Sequence, residues 1–257
     1  MDPTIFAPEY AASLFVGMLC CLEIGRRIGL RRHARKGDAG GFGAAESAIF
    51  ALFGLLIAFT FSGAAARFDS RRAQIADEAN AIGTAYLRVD LLSPADQPDV
   101  RRMFREYVDS RLAIYRKLPD VAAALVELQR SGALQSGLWV RVVAGTKVPE
   151  AHPNAAMLLL PALNQMFDIT TTRTMAARTH PPMVIYQLLF LLGLGCALLA
   201  GHAMAGEKTW SWLHAVGFAA FIALATYVIL EIEFPRAGLI RISDFDEVLV
   251  ELRNSMK

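Results

Sequence analysis

Aromatic and aliphatic residues between Phe50 and Phe61 recur at the spacing of one helix face. Steps of three and four residues place side chains on the same side of an α-helix. If this face lined the axis of a symmetric assembly, it would form a narrow apolar constriction that excludes water, as in gated channels. Such a face also suits lipid contact or a protein core, and these interpretations stay open. The candidate pore-lining residues are Phe50, Phe53, Ile57 and Phe61.

Small residues recur at every fourth position on another face of the same segment. Such a ladder lets the backbone of a second helix approach closely, which favours helix association in lipid. It predicts a helix contact, either within one chain or between copies. The candidate helix-packing residues are Gly54, Ala58, Ser62 and Ala66, and a shorter ladder of Gly193, Ala197 and Gly201 lies later in the chain.

Charged residues follow two of the apolar segments. With four membrane spans, the carboxyl ends of the second and fourth spans emerge on the same side, so these charges could pair. One interpretation is a structural salt bridge, because a charge near lipid is costly unless satisfied. The other is an ion-attracting ring at a pore mouth. The residues concerned are Arg67, Asp69, Arg71 and Arg72 after the second span, and Glu231 and Glu233 in the fourth.

The sequence lacks the common motifs of enzymatic chemistry. There is no GxSxG, HExxH, Walker or GxGxxG motif, and the five histidines lack metal-ligand spacing. The three cysteines form no CxxC pair. We therefore predict a protein that is not an enzyme and has no catalytic residues, cofactor or metal site. A net charge of +2 argues against a nucleic-acid partner.

The elements that position these residues follow from the distribution of charge. The chain has 257 residues, 54% of them hydrophobic, and stretches of 20, 28 and 22 residues after Glu46, Arg178 and Lys208 contain no Asp, Glu, Lys or Arg. About 20 apolar residues suffice for a helix to cross the bilayer. We expect an all-α polytopic membrane protein in contact with lipid, with spans at about 5–25, 45–64, 183–204 and 212–234.

The orientation is predicted from the basic residues. Six positive charges lie between Arg26 and Lys36, in what we expect to be the short loop between the first two spans. Loops this basic usually stay in the cytoplasm. The long insert at 64–181 and both termini are then extracytoplasmic. Arg67, Arg71 and Arg72 weaken this bias, so the opposite topology stays open.

The insert between the second and third spans has helical periodicity throughout. A stripe from Phe68 to Val89 predicts that the second span continues as a long helix beyond the membrane, to about Leu92. Ser93-Pro94 is typical of the start of a further helix, whose expected inward stripe is Val100, Phe104, Tyr107, Arg111, Ile114 and Leu118. Weaker helical signals follow at 121–130 and 134–144. A last helix is expected from about Asn154. The expected domains are 1–63, 64–181, 182–234 and 235–257, that is, a first transmembrane hairpin, a helical insert, a second hairpin and a tail.

Three segments together resemble the bacterial bestrophin-like family: Arg67–Arg72, Asp77–Leu87 and Phe234–Ile242. The segment Glu78-Ala79-Asn80 is the most specific of them. Members share four spans and a helical insert, so the resemblance covers nearly the whole chain. It implies kinship with bestrophins, which are pentameric anion channels whose second span lines the pore and whose insert is cytoplasmic. No catalytic residues are implied.

Two functional hypotheses follow. The first is a homo-oligomeric ion channel of the bacterial inner membrane, anion-selective and pentameric if the resemblance extends that far, with inorganic ions as its partners. The second is a non-conducting sensor or scaffold whose insert binds a partner or ligand. Unitary currents from the purified protein would separate them.

Overall fold

The computed structural model describes residues 3–36, 43–118, 120–206, 212–235 and 246–257, and this part of the chain contains no β-strand. The prediction of an all-α fold is confirmed. The helices are α1 (Pro3–Lys36), α2 (Ala44–Leu87), α3 (Gln97–Lys117), α4 (Val121–Gly145), α5 (Ala155–Arg178), α6 (Met183–Ala203), α7 (Trp212–Glu233) and α8 (Glu247–Ser255).

The chain divides into two compact units. The membrane unit comprises residues 1–66 and 180–234, and the extramembrane unit comprises residues 67–179 and 235–257. Helix α2 contributes its first half to one unit and its second half to the other. At 1.5 Å per residue its 44 residues reach about 66 Å, roughly twice the thickness of the hydrocarbon core. The predicted continuation of the second span is therefore confirmed.

Four helical stretches are long and apolar enough to cross a membrane: Ala7–Arg32, Ala44–Leu91, Ala155–Ala203 and Trp212–Glu233. The third contains α5 and α6, and α6 alone matches the predicted span at 183–204. The fourth matches the predicted span at 212–234. The prediction of four membrane-spanning helices is confirmed.

The prediction of a loop over Arg26–Lys36 is wrong, because α1 continues through this basic segment. The stretch contains no proline, and Arg, Leu, Lys and Ala favour helix. The side chain of Glu23 also forms ion pairs at 2.7 Å with the Nε atoms of both Arg26 and Arg27, which lie one turn further along the helix.

Glycines bring the backbones of α1 and α6 into direct contact within the membrane unit. A Cβ atom added to Gly201 would lie 2.0 Å from the carbonyl oxygen of Leu22, and one added to Gly25 would lie 2.0 Å from that of Leu198. Only glycine fits such positions. The predicted ladder on the third span therefore packs inside the chain, with Ala197 fully buried between Gly193 and Gly201.

The extramembrane unit has a core contributed by α2, α3, α4, α5 and α8. Its centre includes Ile82, Phe104, Leu138, Leu163 and Leu249, none of which is accessible to solvent. Seven residues of the two predicted stripes belong to this core: Ala79, Ile82, Tyr86, Val89, Val100, Phe104 and Tyr107. The stripe residues Ile75, Arg111 and Ile114 are buried as well.

Two predicted boundaries in the insert are corrected. Helix α3 begins at Gln97 after the N-cap Asp96, not at Ser93-Pro94, because the Ser93 hydroxyl donates to the Asp96 carboxylate at 2.8 Å and closes a separate turn. The weak signals at 121–130 and 134–144 belong to the single helix α4. Its start is fixed by the Asp120 side chain, which accepts a hydrogen bond from the Ala123 amide at 3.0 Å.

Two alanine substitutions on α6 test the backbone contact. We expect Gly201→Ala to separate α1 from α6 and to lower the thermal stability of the detergent-solubilised protein, because the new methyl group meets a backbone atom. Gly195→Ala is the matched control: its Cβ would meet nothing within 4 Å, and it should be neutral or stabilise the helix by about 0.5–1 kcal/mol. Equal melting temperatures for the two variants would contradict this account.

Candidate functional site

The four candidate pore-lining residues have different surroundings within one chain. The Phe53 side chain is 3% exposed and packs in a cluster with Tyr186, Leu189 and Leu230. The Phe50 ring is half-buried, with its centroid 6.2 Å from that of Phe218. Further along α2, Ile57 is half-buried and Phe61 is 45% exposed. The apolar face thus passes from enclosed at Phe53 to open at Phe61.

The small-residue ladder on α2 is exposed in the single chain. Gly54, Ala58, Ser62 and Ala66 all lie on the surface, and a Cβ atom added to Gly54 would meet nothing within 4 Å. Large apolar side chains beside the ladder are exposed as well, with Phe59 at 68%. In the described part of the chain, no other helix packs closely against this ladder.

A groove of about 410 Å³ separates α2 from α7 in the membrane unit. Gly54 and Ala58 form part of one wall, together with Ile57 and Phe61. The opposite wall is apolar and consists of Phe221, Leu224, Ala225, Val228 and Ile229. Two predicted sets, the ladder and the pore-lining residues, therefore meet along one apolar groove.

The two acidic candidates on α7 are buried. Glu233 is inaccessible to solvent, and its Oε1 lies 2.9 Å from Nδ1 of His180, whose ring stacks on Phe234 at a centroid distance of 4.5 Å. Glu231 is 4% exposed, and its carboxyl group interacts with the Tyr227 side chain one turn before it. Each carboxyl group thus has a partner in its own unit, as burial of an ionisable group requires.

The basic candidates after the second span belong to the extramembrane unit. Arg71 donates to the backbone carbonyls of Ala176 at 3.2 Å and Thr179 at 3.0 Å, so it ties α2 to the end of α5. Arg72 lies 3.4 Å from Asp69 on the same helix face. Pairing of Arg67, Asp69, Arg71 and Arg72 with Glu231 and Glu233 stays a prediction.

A buried charge cluster at the centre of the extramembrane unit was missed by sequence reasoning. The Glu78 carboxylate is inaccessible and accepts from Nε of Arg111 at 2.6 Å and from Arg173. Arg173 also contacts Asp246, just before α8, at 3.4 Å. The Tyr115 ring lies 4.3 Å from the Arg173 guanidinium carbon. Two anions and two cations therefore join α2, α3, α5 and the C-terminal segment.

Burial and charge act in opposite directions on these groups. Burial alone would raise the pKa of the Glu78 carboxyl, but the charges and hydrogen bonds of Arg111 and Arg173 lower the pKa below its ordinary value. Burial would also lower the pKa of Arg111, yet Tyr115 and Glu78 hold that pKa above its ordinary value. Glu78 and Arg111 therefore stay ionised near neutral pH.

A signal for this cluster was present in the sequence. Arg111 falls on the inward stripe of α3, between Tyr107 and Ile114, where a charge demands a buried partner. Glu78 is adjacent to Ala79 on the inward face of α2 and belongs to the Glu78-Ala79-Asn80 segment. The partner could not be assigned from the sequence, because the tertiary structure decides which residues of α2, α3 and α5 face each other.

Comparison with known proteins identifies one family. The family model described as the Bestrophin-like domain matches residues 32–245, which is most of the chain. Comparison with curated proteins and with solved structures gave no match.

The charge cluster predicts a pH-dependent stability. Glu78→Gln removes the negative charge that neutralises the buried guanidinium groups of Arg111 and Arg173. It should therefore lower the free energy of unfolding by about 3–5 kcal/mol. Because the folded pKa of Glu78 is lowered, its contribution is complete above the unfolded value of about 4.3 and is lost as the pH falls through the folded pKa. Denaturant unfolding followed by circular dichroism, at pH 7 and at stepwise lower pH, measures both effects.

The control for this measurement is Glu251→Gln, which neutralises an exposed carboxylate on α8. It should change the unfolding free energy by less than about 0.5 kcal/mol. A Glu78→Gln protein as stable as this control at pH 7 would show that the cluster contributes little.

Proposed function

Because the chain belongs to the bestrophin-like family, we propose that it is a homo-oligomeric ion channel of the membrane, with α2 lining the pore. The observation that carries this proposal is the exposure of the membrane half of α2. Only 17% of its most apolar stretch is buried within the chain, against 28–39% for the other three spans. The least enclosed span is the one with most surface available to other copies.

The exposed ladder supports association of copies through α2. Helices in lipid gain little from burying apolar surface, so close backbone approach and van der Waals packing drive their association. On α6 a similar ladder has its partner within the chain, whereas Gly54, Ala58, Ser62 and Ala66 are open. A neighbouring copy would supply the missing helix.

In the proposed pore, Ile57 and Phe61 form the constriction. Phe61 is the most exposed of the four candidates, and the half-buried Ile57 lies one turn before it. Phe53 packs α2 against the rest of the membrane unit, and Phe50 contacts Phe218. Apolar rings of this kind block ions by excluding water from the path. Kinship with bestrophins favours anions as the permeant ions and five copies as the assembly.

The alternative is a non-conducting sensor or scaffold. It is favoured by the enclosure of Phe53, which shows that part of the aromatic face has a packing role within one chain. The extramembrane unit, with its own core, would then bind a partner or ligand. Single-channel recording in planar bilayers distinguishes the two, since reproducible unitary currents support the channel and their absence supports the scaffold.

For orientation, we propose that the extramembrane unit and both termini lie outside the cytoplasm, in a bacterial inner membrane, as the basic residues of α1 favour. In a background without Cys20, Cys21 and Cys196, single Gln97→Cys and Ser255→Cys variants should react with impermeant thiol reagents applied from the periplasmic side. Reaction of both only from the cytoplasm would reverse the orientation. Reaction from opposite sides would exclude the four-span topology.

The assembly prediction concerns Ala58. Ala58→Leu places a bulky side chain on the exposed ladder and should dissociate the oligomer without destabilising the single chain. The oligomer mass in mild detergent, measured by light scattering, should fall while the melting temperature of the monomer stays unchanged. Leu52→Met, a volume-conserving change at an exposed position of α2, serves as the control. If the oligomer mass of the Ala58→Leu protein were unchanged, the ladder would not be part of the interface between copies.

The conductance prediction separates the pore residues from the packing residues. Phe61→Ala widens the proposed constriction and Ile57→Ser makes it more polar, so both should raise the unitary conductance. Phe53→Ala should instead lower the stability by about 3–5 kcal/mol through a cavity in the membrane unit. The measurements are bilayer recordings and thermal unfolding of the same preparations. If currents were present but unaltered in the first two variants, Ile57 and Phe61 would not line the pore.

A further inference from the structure

A polar groove of about 750 Å³ lies between α2 and α5, entirely within the extramembrane unit. Asp77 and Asn80 lie on the α2 side, and Asn164 and Asp168 on the α5 side. The lining also includes the apolar residues Ala81 and Ile169. Its size is that of a small-molecule site.

The two carboxylates of the groove differ from the other acidic side chains of helices α2–α5. Within the described residues, those others form ion pairs or hydrogen bonds: Glu46, Asp69, Glu78, Asp99, Glu106, Asp109 and Glu127. Asp77 and Asp168 are exposed and have no such partner in the described chain. Among the described residues, no lysine or arginine lines the groove. The described lining therefore carries two negative formal charges and no positive one.

The geometry of the groove disfavours a bare metal ion. Within the described residues, no three His, Cys, Asp or Glu side chains are grouped as metal ligands would be. Instead, carboxylate and amide groups from two helices surround an open volume that also has apolar surface. Amide and carboxylate oxygens accept hydrogen bonds from N–H groups, and the apolar surface suits methylene groups.

We propose that this groove binds a linear aliphatic polyamine. Its ammonium groups donate to the carboxylates of Asp77 and Asp168 and to the amide oxygens of Asn80 and Asn164. Its methylene groups lie against Ala81 and Ile169. This binding is a further activity of the extramembrane unit and does not depend on whether the protein conducts ions.

Isothermal titration calorimetry with spermidine tests the proposal on the full chain in nanodiscs of zwitterionic lipid, with empty nanodiscs as the blank. We expect saturable binding at low ionic strength that weakens as salt screens the charges. Asp77→Asn and Asp168→Asn should each weaken binding about fivefold, and the double variant more. Because both side chains are exposed and have no partner in the described chain, these isosteric changes should leave the melting temperature unchanged.

Glu251→Gln is the matched control, since it removes an exposed carboxylate outside the groove, and its affinity should equal that of the unaltered protein. Equal affinities in all variants, or no saturable heat of binding, would show that this groove is not a polyamine site. Calcium binding that depends on Asp77 and Asp168, with no binding of spermidine, would show that the groove binds a metal ion and not a polyamine. The titration involves no current, so its outcome is separate from that of the conductance measurements.

Discussion

A polypeptide backbone in hydrocarbon finds no water, so each of its peptide groups must be bonded within its own helix. This constraint applies to three stretches without formal charge, and the membrane parts of α2, α6 and α7 lie within them. Nothing ends α2 after its apolar part, because Gly63 is the only glycine or proline between Gly54 and Gly83. The core of the extramembrane unit is consequently built on the second half of a membrane helix.

The two units are stabilised by different physical means. In the membrane unit, helices associate where glycine allows backbone contact, as at Gly25 and Gly201. In the extramembrane unit, water supplies a hydrophobic driving force, and apolar stripes on α2 to α5 meet in one core. That core also contains the ionised side chains of Glu78 and Arg111, which are tolerated because they neutralise each other and are hydrogen-bonded.

Much of the fold could be predicted from the sequence, because the length of an uncharged stretch and the helical periodicity of apolar residues are local properties. The spans at α6 and α7 and the inward stripes of α2 and α3 are of this kind. The helix over Arg26–Lys36 differs from the prediction, because a high density of charge indicates a loop while the residue types themselves favour helix. The enclosure of Phe53 and the pairing of Glu78 could not be predicted, because both depend on how distant helices align.

The contact between α1 and α6 has a consequence for biosynthesis. The ribosome must add nearly 150 residues after Lys36 before α6 begins at Met183. At about 5–20 residues per second, this takes roughly seven to thirty seconds. During that time α1, the least hydropathic of the four spans, waits in the bilayer without the helix against which its glycines pack. The least hydropathic span is therefore also the one that remains longest in the bilayer before α6 is made.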